Sequence, residues 1–132
     1  MDRPITDSIL ENAAVLLDKA EILGRLDDDW QLLAELCDLA LVELPRMVES
    51  LVAAVELQDA NAVHRAAHKL NGSLSVFGPG PHTAAAAALQ ELARNRTMAQ
   101  VPEVLNRLER YLNEFSIAVA ALGKEAHARS GS

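Results

Sequence analysis

A stripe of apolar residues runs from Trp30 to Val55 at spacings of three and four. These spacings place the residues on one face of an α-helix, which completes a turn every ~3.6 residues. A helix of about seven turns with one apolar face must pack that face against other elements. Pro45 lies within the stripe and predicts a kink rather than a break, because the apolar register continues on both sides of it.

Three later segments predict the helices that complete the fold. One helix is predicted after Asp59, and Gly78-Pro79-Gly80-Pro81 marks the turn that follows it. A second helix runs from that turn to near Asn95, and a third runs from Pro102, which suits a first helical turn, to Gly123. Four amphipathic helices with short connections predict an antiparallel four-helix bundle.

The two ends of the chain are predicted to add less to the fold. Residues 5–24 predict short helical pieces, with Thr6 or Asp7 as the N-cap and Gly24 as the stop. These pieces would form an N-terminal helical cap on the bundle. Residues 124–132 are polar and are predicted to form a disordered tail. The predicted architecture is therefore all-α, with a single domain over residues 1–123.

Composition supports a helical protein and excludes several classes of function. Apolar residues make up 50% of the chain but aromatic residues only 3%, which favours an aliphatic helical core over a β-sandwich. A net charge of -7 argues against nucleic-acid binding. Since there is no signal sequence and no apolar run of about 20 residues, we expect a cytoplasmic protein that does not enter the membrane. The single cysteine, Cys37, is predicted to be a buried thiol.

Residues 61–77 divide into two faces when they are placed on a helical wheel. The apolar face is predicted to meet the core and consists of Val63, Ala66, Ala67, Leu70, Leu74 and Phe77. The opposite, polar face consists of Asn61, His64, Arg65, His68, Asn71, Gly72 and Ser75. His68 lies at the centre of the polar face and is therefore predicted to point at solvent or at a partner.

Gly72 is the unexpected member of the polar face. A glycine inside a helix costs about 1 kcal/mol relative to alanine, so something bulky is expected to approach the imidazole of His68, one turn earlier. The polar face has no acidic residue in a chain that contains 19 of them. His64, Arg65 and the nearby Lys69 make it neutral to positive, which suits an anionic ligand such as a phosphoryl group.

Two plainer interpretations of these residues stay open at this point. A polar helix face can simply be solvated and have no role. His64 and His68 are four residues apart, which can hold a metal ion, but a zinc site needs three or four ligands and no His-Glu-x-x-His pattern is present. We therefore expect no metal site, and hydrolytic catalysis is disfavoured because no paired carboxylates are visible.

The sequence around His68 resembles the histidine-containing phosphotransfer (HPt) domain family. The segment HKLNGS at residues 68–73, followed by Gly78, is similar to the family pattern His-x-Leu-Lys-Gly-Ser with a second glycine ten residues after the histidine. Asp28-Asp29, Leu32-Leu33 and Leu44-Pro45 look like the preceding helix of that family. The resemblance covers residues 5–122, which is nearly the whole chain.

The resemblance implies a role for each residue that matches the family. His68 would accept a phosphoryl group from a receiver-domain aspartate and pass it to another receiver, as a carrier rather than an enzyme. Gly72 would let the receiver close over His68, Gln90 would orient the imidazole, and Lys69 and Asn71 would support the phosphoryl group. Ser73 and Gly78 match structural positions. The receiver-docking face would comprise Asn61, His64, Arg65 and Ser75.

The implied partners are response-regulator receiver domains and a hybrid sensor kinase. The protein would act as a monomer within a multistep two-component phosphorelay. It would need no cofactor of its own, because the receiver domain supplies the magnesium ion and the acidic pocket.

Asn71 departs from the family pattern, which has lysine at this position. Asparagine can donate a hydrogen bond but brings no charge, and the wheel turns Lys69 about 100° away from His68. Two alternatives to a phosphorelay carrier therefore remain. One is a receiver-binding module of the same fold without phosphotransfer, and the other is an unrelated helical adaptor or metal-binding bundle.

Overall fold

The computed structural model describes residues 15–131, which form five α-helices, one 3-10 helix and, within that range, no β-strand. The α-helices are α1 (Lys19–Arg25), α2 (Trp30–Glu56), α3 (Ala60–Ser75), α4 (Pro81–Arg94) and α5 (Val101–Arg129). The 3-10 helix (Met98–Gln100) leads directly into α5. None of these helices is long and apolar enough to cross a membrane.

Aspartate side chains begin the first three helices. Asp18 is the N-cap of α1, Asp29 accepts a hydrogen bond from the backbone N of Leu32 at 3.0 Å, and Asp59 accepts one from Ala62 at 3.1 Å. Each bond satisfies a backbone N–H that has no partner within its helix, and the carboxylate charge favours the positive end of the helix dipole. The predicted helix starts before Trp30 and after Asp59 are therefore confirmed.

Helices α2 to α5 form a closed bundle in which each helix packs on two others: α2 on α3 and α5, and α4 on α3 and α5. The pairing of α2 with α5 is antiparallel. At one end the guanidinium of Arg129 lies 4.9 Å from the ring centroid of Trp30, and at the other end Val55 and Pro102 line the same surface depression. The predicted all-α four-helix bundle is confirmed.

The core of the bundle is aliphatic, as the composition predicts. Phe115 is one of its few aromatic side chains, and the ring of Phe77 packs edge-on against it with centroids 5.6 Å apart. The largest fully buried side chains are Phe115, Leu33, Leu51, Leu70, Leu74, Leu89 and Leu108. Because these side chains come from all four long helices, the core fixes the rotation of each helix about its axis.

Helix α2 passes through Pro45 without interruption, so the prediction that this residue does not split the helix is confirmed. Cys37, earlier in the same helix, is fully buried, as predicted. Burial, and to a lesser extent the neighbouring Asp38 carboxylate, raises the pKa of the Cys37 thiol to about 11. The thiol therefore stays protonated and unreactive at neutral pH.

The end of α5 corrects the prediction that Gly123 stops the last helix and that a disordered tail follows. The helix continues to Arg129, and Ala126 is fully buried. Gly123 is a packing residue instead: a Cβ added to it would lie 3.0 Å from the Cβ of Cys37. Helix α5 and its buried face therefore extend beyond residue 123.

Polar contacts hold the last turns of α5 in place. Nε2 of His127 lies 2.9 Å from an Asp38 carboxylate oxygen on α2. Glu125 binds Lys19 at 3.1 Å and Arg129 at 3.0 Å, and these two bonds lower the pKa of its carboxyl. The polar side chains of this segment thus bind other helices, although their composition is typical of a disordered tail.

The N-terminal part of the described chain packs on the bundle through Val15 and α1. Val15 is buried, and its backbone N–H donates to Oε1 of Glu114 at 2.9 Å. Helix α1 buries Ile22 and Leu23 and ends at Arg25, one residue beyond the predicted stop at Gly24. The predicted N-caps Thr6 and Asp7 lie outside the described residues.

Candidate functional site

Helix α3 presents the two faces that the wheel predicts. On the core side, Ala66 is half-buried and the other predicted members are buried: Val63, Ala67, Leu70, Leu74 and Phe77. On the opposite side five of the seven predicted residues are exposed: Asn61, Arg65, His68, Gly72 and Ser75. The remaining two, His64 and Asn71, are half-buried. The imidazole of His68 is therefore accessible from solvent, as predicted.

Gln90 of α4 holds His68 from one side. It follows the buried Leu89, which anchors this turn of α4 against the core and leaves the Gln90 side chain half-buried at the seam with α3. The amide Nε2 of Gln90 lies 2.9 Å from Nδ1 of His68. The imidazole is thus fixed through Nδ1, which leaves Nε2 at the surface.

His64 is also bound to Gln90, one turn earlier on α3. Its Nδ1 donates a hydrogen bond to the backbone carbonyl of Gln90 at 3.2 Å. Its ring is stacked on that of His68, with centroids 6.4 Å apart and ring planes 13° from parallel. The wheel places His64 on the polar face, and there packing against α4 half-buries it.

Gly72 leaves open space beside His68. It is exposed, and a Cβ added to it would meet no atom of residues 15–131 within 4 Å apart from its own helix and chain neighbours. Packing within the bundle therefore does not require a glycine at this position. A larger side chain would instead project from the surface one turn beyond the imidazole.

Asn71 and Ser75 are linked through the helix backbone. The hydroxyl of Ser75 donates to the backbone carbonyl of Asn71 at 2.7 Å. The side-chain Oδ1 of Asn71 is buried and has no hydrogen-bond partner among the described residues. Asn71 thus lies at the border of the polar face, partly turned toward the bundle.

The two cations predicted near His68 differ in position. Arg65 is exposed on the polar face. Lys69 lines a groove between α2 and α3 together with Glu43 and Met47. The structure therefore directs Lys69 toward α2, whereas His68 is bound to α4.

His64 and His68 have no third metal ligand beside them in the described part of the chain. Within residues 15–131, no group of three or more histidine, cysteine, aspartate or glutamate side chains is placed to hold a metal ion. The two Nδ1 atoms are engaged with Gln90 rather than directed at a shared point.

The sequence did not predict that the histidine at the start of α4 is buried. His82 is fully buried, neither of its nitrogens has a hydrogen-bond partner among the described residues, and its ring centroid lies 5.0 Å from that of Phe115. Burial lowers the pKa of His82 to about 4. A Cβ on Gly80 would approach this ring to 2.7 Å, so the Gly-Pro-Gly-Pro turn has a packing reason for its second glycine.

A shallow apolar groove between α2 and α3 was also missed. It begins near Ser73 and is lined by apolar side chains that include Leu36, Leu39, Ala40 and Val76. Leu39 is 57% exposed and Val76 is 42% exposed. The sequence did contain a signal for this groove. Leu39 and Val42 are apolar but lie outside the stripe that α2 turns toward the core.

Comparison with known proteins places this site within a recognised domain. The Hpt domain family matches residues 35–118, which is more than half of the chain. The chain belongs to the Hpt domain family. That range includes all of α3 and α4 and most of α2 and α5, so His68 and Gln90 both lie in the Hpt domain.

A solved structure with the same architecture is that of histidine-containing phosphotransfer protein B (HptB) from Pseudomonas aeruginosa PAO1. The two chains share 25% sequence identity with a TM-score of 0.68, over 85% of this chain and 95% of HptB. No curated protein matches this chain. Hpt domains are phosphocarrier modules of two-component phosphorelays, which is the broad class to which this domain belongs.

Proposed function

We propose that this Hpt domain carries a phosphoryl group on His68 between receiver domains of a multistep phosphorelay. The observation that carries the proposal is an exposed imidazole whose Nδ1 is held by Gln90 at 2.9 Å, next to the open surface at Gly72. Holding the ring through Nδ1 leaves Nε2 to face a partner, as the nucleophile whenever it carries no proton. Positioning is most of what phosphoryl transfer demands of a protein.

The transfer step exchanges one bond to phosphorus for another. The lone pair of His68 Nε2 attacks the phosphorus of a receiver aspartyl phosphate, a P–N bond forms, and the P–O bond to the aspartate breaks as the carboxylate leaves. In the reverse direction a receiver carboxylate attacks the phosphohistidine and Nε2 regains its lone pair. A neutral imidazole is a competent nucleophile near neutral pH because histidine ordinarily loses its proton near pH ~6.5.

Gln90 selects which nitrogen of His68 carries the ring proton. When the amide N–H of Gln90 donates to Nδ1, a neutral ring has its proton on Nε2, which cannot then attack. When the amide is turned by half a rotation, its oxygen accepts from Nδ1–H and Nε2 has a free lone pair. The reactive form therefore has the amide oxygen of Gln90 toward His68.

Gly72 and the exposed residues of α3 form the surface on which a receiver would close. The receiver must bring its aspartyl phosphate to within bonding distance of Nε2, and a side chain at position 72 would stand in its way. The proposed receiver-docking face consists of Asn61, His64, Arg65 and Ser75. Two members of this face are held by hydrogen bonds to backbone carbonyls, His64 to that of Gln90 and Ser75 to that of Asn71.

The remaining chemistry belongs to the partner. A receiver domain would supply the magnesium ion and the acidic pocket, so the Hpt domain needs no cofactor. We expect the partners to be receiver domains and a hybrid sensor kinase in the cytoplasm, and we expect the Hpt domain to act as a monomer.

One observation favours a second candidate, a receiver-binding module that does not transfer phosphate. Asn71 brings no charge to the site, and Lys69 lies in the groove toward α2. In that case the docking face would function without a phosphohistidine.

The experiment that separates the two functions uses receiver domains that their kinases have already phosphorylated. Wild-type protein and His68→Gln are incubated with them, and protein-bound phosphate is tested for lability in acid and stability in alkali. Label on the wild type alone is the expected result. Receiver binding without label, and binding that survives His68→Ala, would select the docking-only function.

A further inference from the structure

Gln90 holds two histidines in the same orientation. Its backbone carbonyl binds Nδ1 of His64 at 3.2 Å, and its side-chain amide lies 2.9 Å from Nδ1 of His68. The two rings are 6.4 Å apart and nearly parallel. Both rings therefore present their Nδ1 edge to α4, and both Nε2 atoms point to the surface along the same side of α3.

The hydrogen bond to a carbonyl fixes the tautomer of His64. A carbonyl only accepts, so the neutral ring has its hydrogen on Nδ1 and its lone pair on Nε2. A second proton must then bind at Nε2. The bond to Gln90 survives this protonation and becomes charge-assisted.

The charged groups around His64 leave room for an added anion. On α3, Arg65 is exposed on the same face, whereas Lys69 lies across the helix with Glu43 of α2. On α4, next to Gln90, Glu91 and Arg94 pair with each other at 2.6 Å. Of the carboxylates on these two helices, Glu91 is therefore paired with Arg94, and Glu43 lies with Lys69 on the α2 side of α3.

We propose that His64 is a proton-dependent binding group for the phosphoryl group on His68, an inference that rests on the proposed function. A phosphoryl group on Nε2 of His68 brings about two negative charges to the edge that it shares with His64. Such an anion favours the protonated form of a neighbouring imidazole. His64 then takes up a proton on Nε2, and the resulting positive charge faces the phosphoryl group across the edge that the two parallel rings share.

This arrangement supplies a positive charge that is present mainly when the phosphoryl group is present. It would compensate for Asn71, which has no charge to offer. Because histidine changes charge near neutral pH, the contribution is largest below neutral pH and vanishes in alkali.

The test phosphorylates the full chain chemically with potassium phosphoramidate, so that no receiver is required. In this reaction the P–N bond of the donor breaks, ammonia leaves, and a P–N bond forms at Nε2 of His68. NMR signals of the histidine rings are followed against pH before and after phosphorylation. The midpoint of the His64 titration is expected to rise by about 1 pH unit. The midpoint of His127, which is paired with Asp38, is expected to stay in place.

Variants provide the reciprocal measurement on the phosphoryl group. Its ³¹P titration midpoint is expected to be higher in His64→Gln than in the wild type, because a neighbouring cation favours the dianion. Arg65→Gln is the matched control: it removes a permanent charge from the same face and should leave the response of His64 intact.

The outcomes distinguish the inference from the proposed function. A P–N signal on His68 with an unchanged His64 midpoint overturns the inference and leaves the proposed function in place. Absence of a P–N signal at His68 in the folded protein counts against the proposed function and removes the inference with it. The ring titration is measured in the wild type, so it does not depend on how a variant folds.

Discussion

Two helical glycines, Gly72 and Gly123, have opposite surroundings. Outside its own helix and chain neighbours, a Cβ on Gly72 would meet no atom of the described residues within 4 Å, whereas one on Gly123 would lie 3.0 Å from the Cβ of Cys37. Helix packing therefore accounts for the second glycine and not for the first. A glycine that costs about 1 kcal/mol in a helix and relieves no internal contact is best explained by the approach of a partner.

Substitution of Gly72 separates stability from transfer. Gly72→Ala is expected to raise the free energy of unfolding by about 0.5–1 kcal/mol, because alanine fits the open space and favours the helix. Gly72→Leu is expected to stay folded and to block transfer from a receiver. Urea unfolding and a phosphotransfer assay measure the two effects. A folded Gly72→Leu protein with unimpaired transfer would contradict the steric role.

His82 makes stability depend on pH. Burial lowers its pKa to about 4 from an ordinary value of 6.5, so the folded protein keeps the ring neutral between these values while the unfolded chain binds a proton. The free energy of unfolding therefore falls as the pH drops from about 6.5 to 4, by roughly 3 kcal/mol in total.

The variant His82→Leu tests this dependence. Leucine has a similar size and no charge. The free energy of unfolding of the variant is therefore expected to fall less than that of the wild type as the pH drops below 6.5. Urea unfolding of both proteins at several pH values between 4 and 7 measures the difference, which cancels the contribution of the carboxylates. Parallel curves for the two proteins would show that His82 titrates alike in the folded and unfolded states.

Asn71→Lys tests whether the site lacks charge. Lysine would add a cation near the phosphoryl group, so the lifetime of the phosphohistidine is expected to stay the same or to lengthen. The half-life of the labelled protein is compared with that of Asn71→Gln, which is longer but neutral. A phosphohistidine that decays faster in Asn71→Lys would refute the charge argument.

At the scale of the helix, α5 shows that contacts with other helices can keep a polar segment helical. Its last turns contain a buried Ala126 and a His127 side chain bound to Asp38. Both depend on the close approach of α5 to α2 at Gly123, where the backbone contacts Cys37. A larger residue at this position should push the two helices apart.

Gly123→Leu is expected to destabilise the protein by about 1–3 kcal/mol or more, because the site has no room for a side chain. Gly72→Leu is the matched control at an open helical position. The free energies of unfolding of the two variants are compared in urea, and the exposure of Cys37 is followed with a thiol reagent. Equal stabilities would mean that α2 and α5 tolerate a wider separation.

Helices α3 and α4 also show what a helical wheel, which considers one helix at a time, cannot predict. The wheel sorts His68 and Leu70 correctly, because the difference between exposed and buried faces follows from spacing alone. The wheel cannot predict how far the His64 side chain is buried. That burial depends on how α4 is rotated about its axis and on the backbone carbonyl of Gln90.

At the scale of the molecule, most of the architecture could be predicted from the sequence. Apolar spacing predicted the four long helices, and the aspartates and prolines predicted most of their ends. The prediction failed at Gly123 because a glycine in a sequence is equally consistent with a helix stop and with a tight helix contact. It missed His82 because histidine is seldom fully buried and nothing in its neighbours indicated an apolar pocket.

The proposed phosphoacceptor, His68, lies in the middle of one helix, at the centre of one polar face. In the proposed relay, two receivers could therefore not use it at once, and the donor would have to leave before the recipient arrives. The flow of phosphate would follow ping-pong kinetics, in which a partner that dissociates slowly obstructs the next one. Because affinity differences between related complexes lie mostly in dissociation rates, weak binding by each receiver would favour throughput.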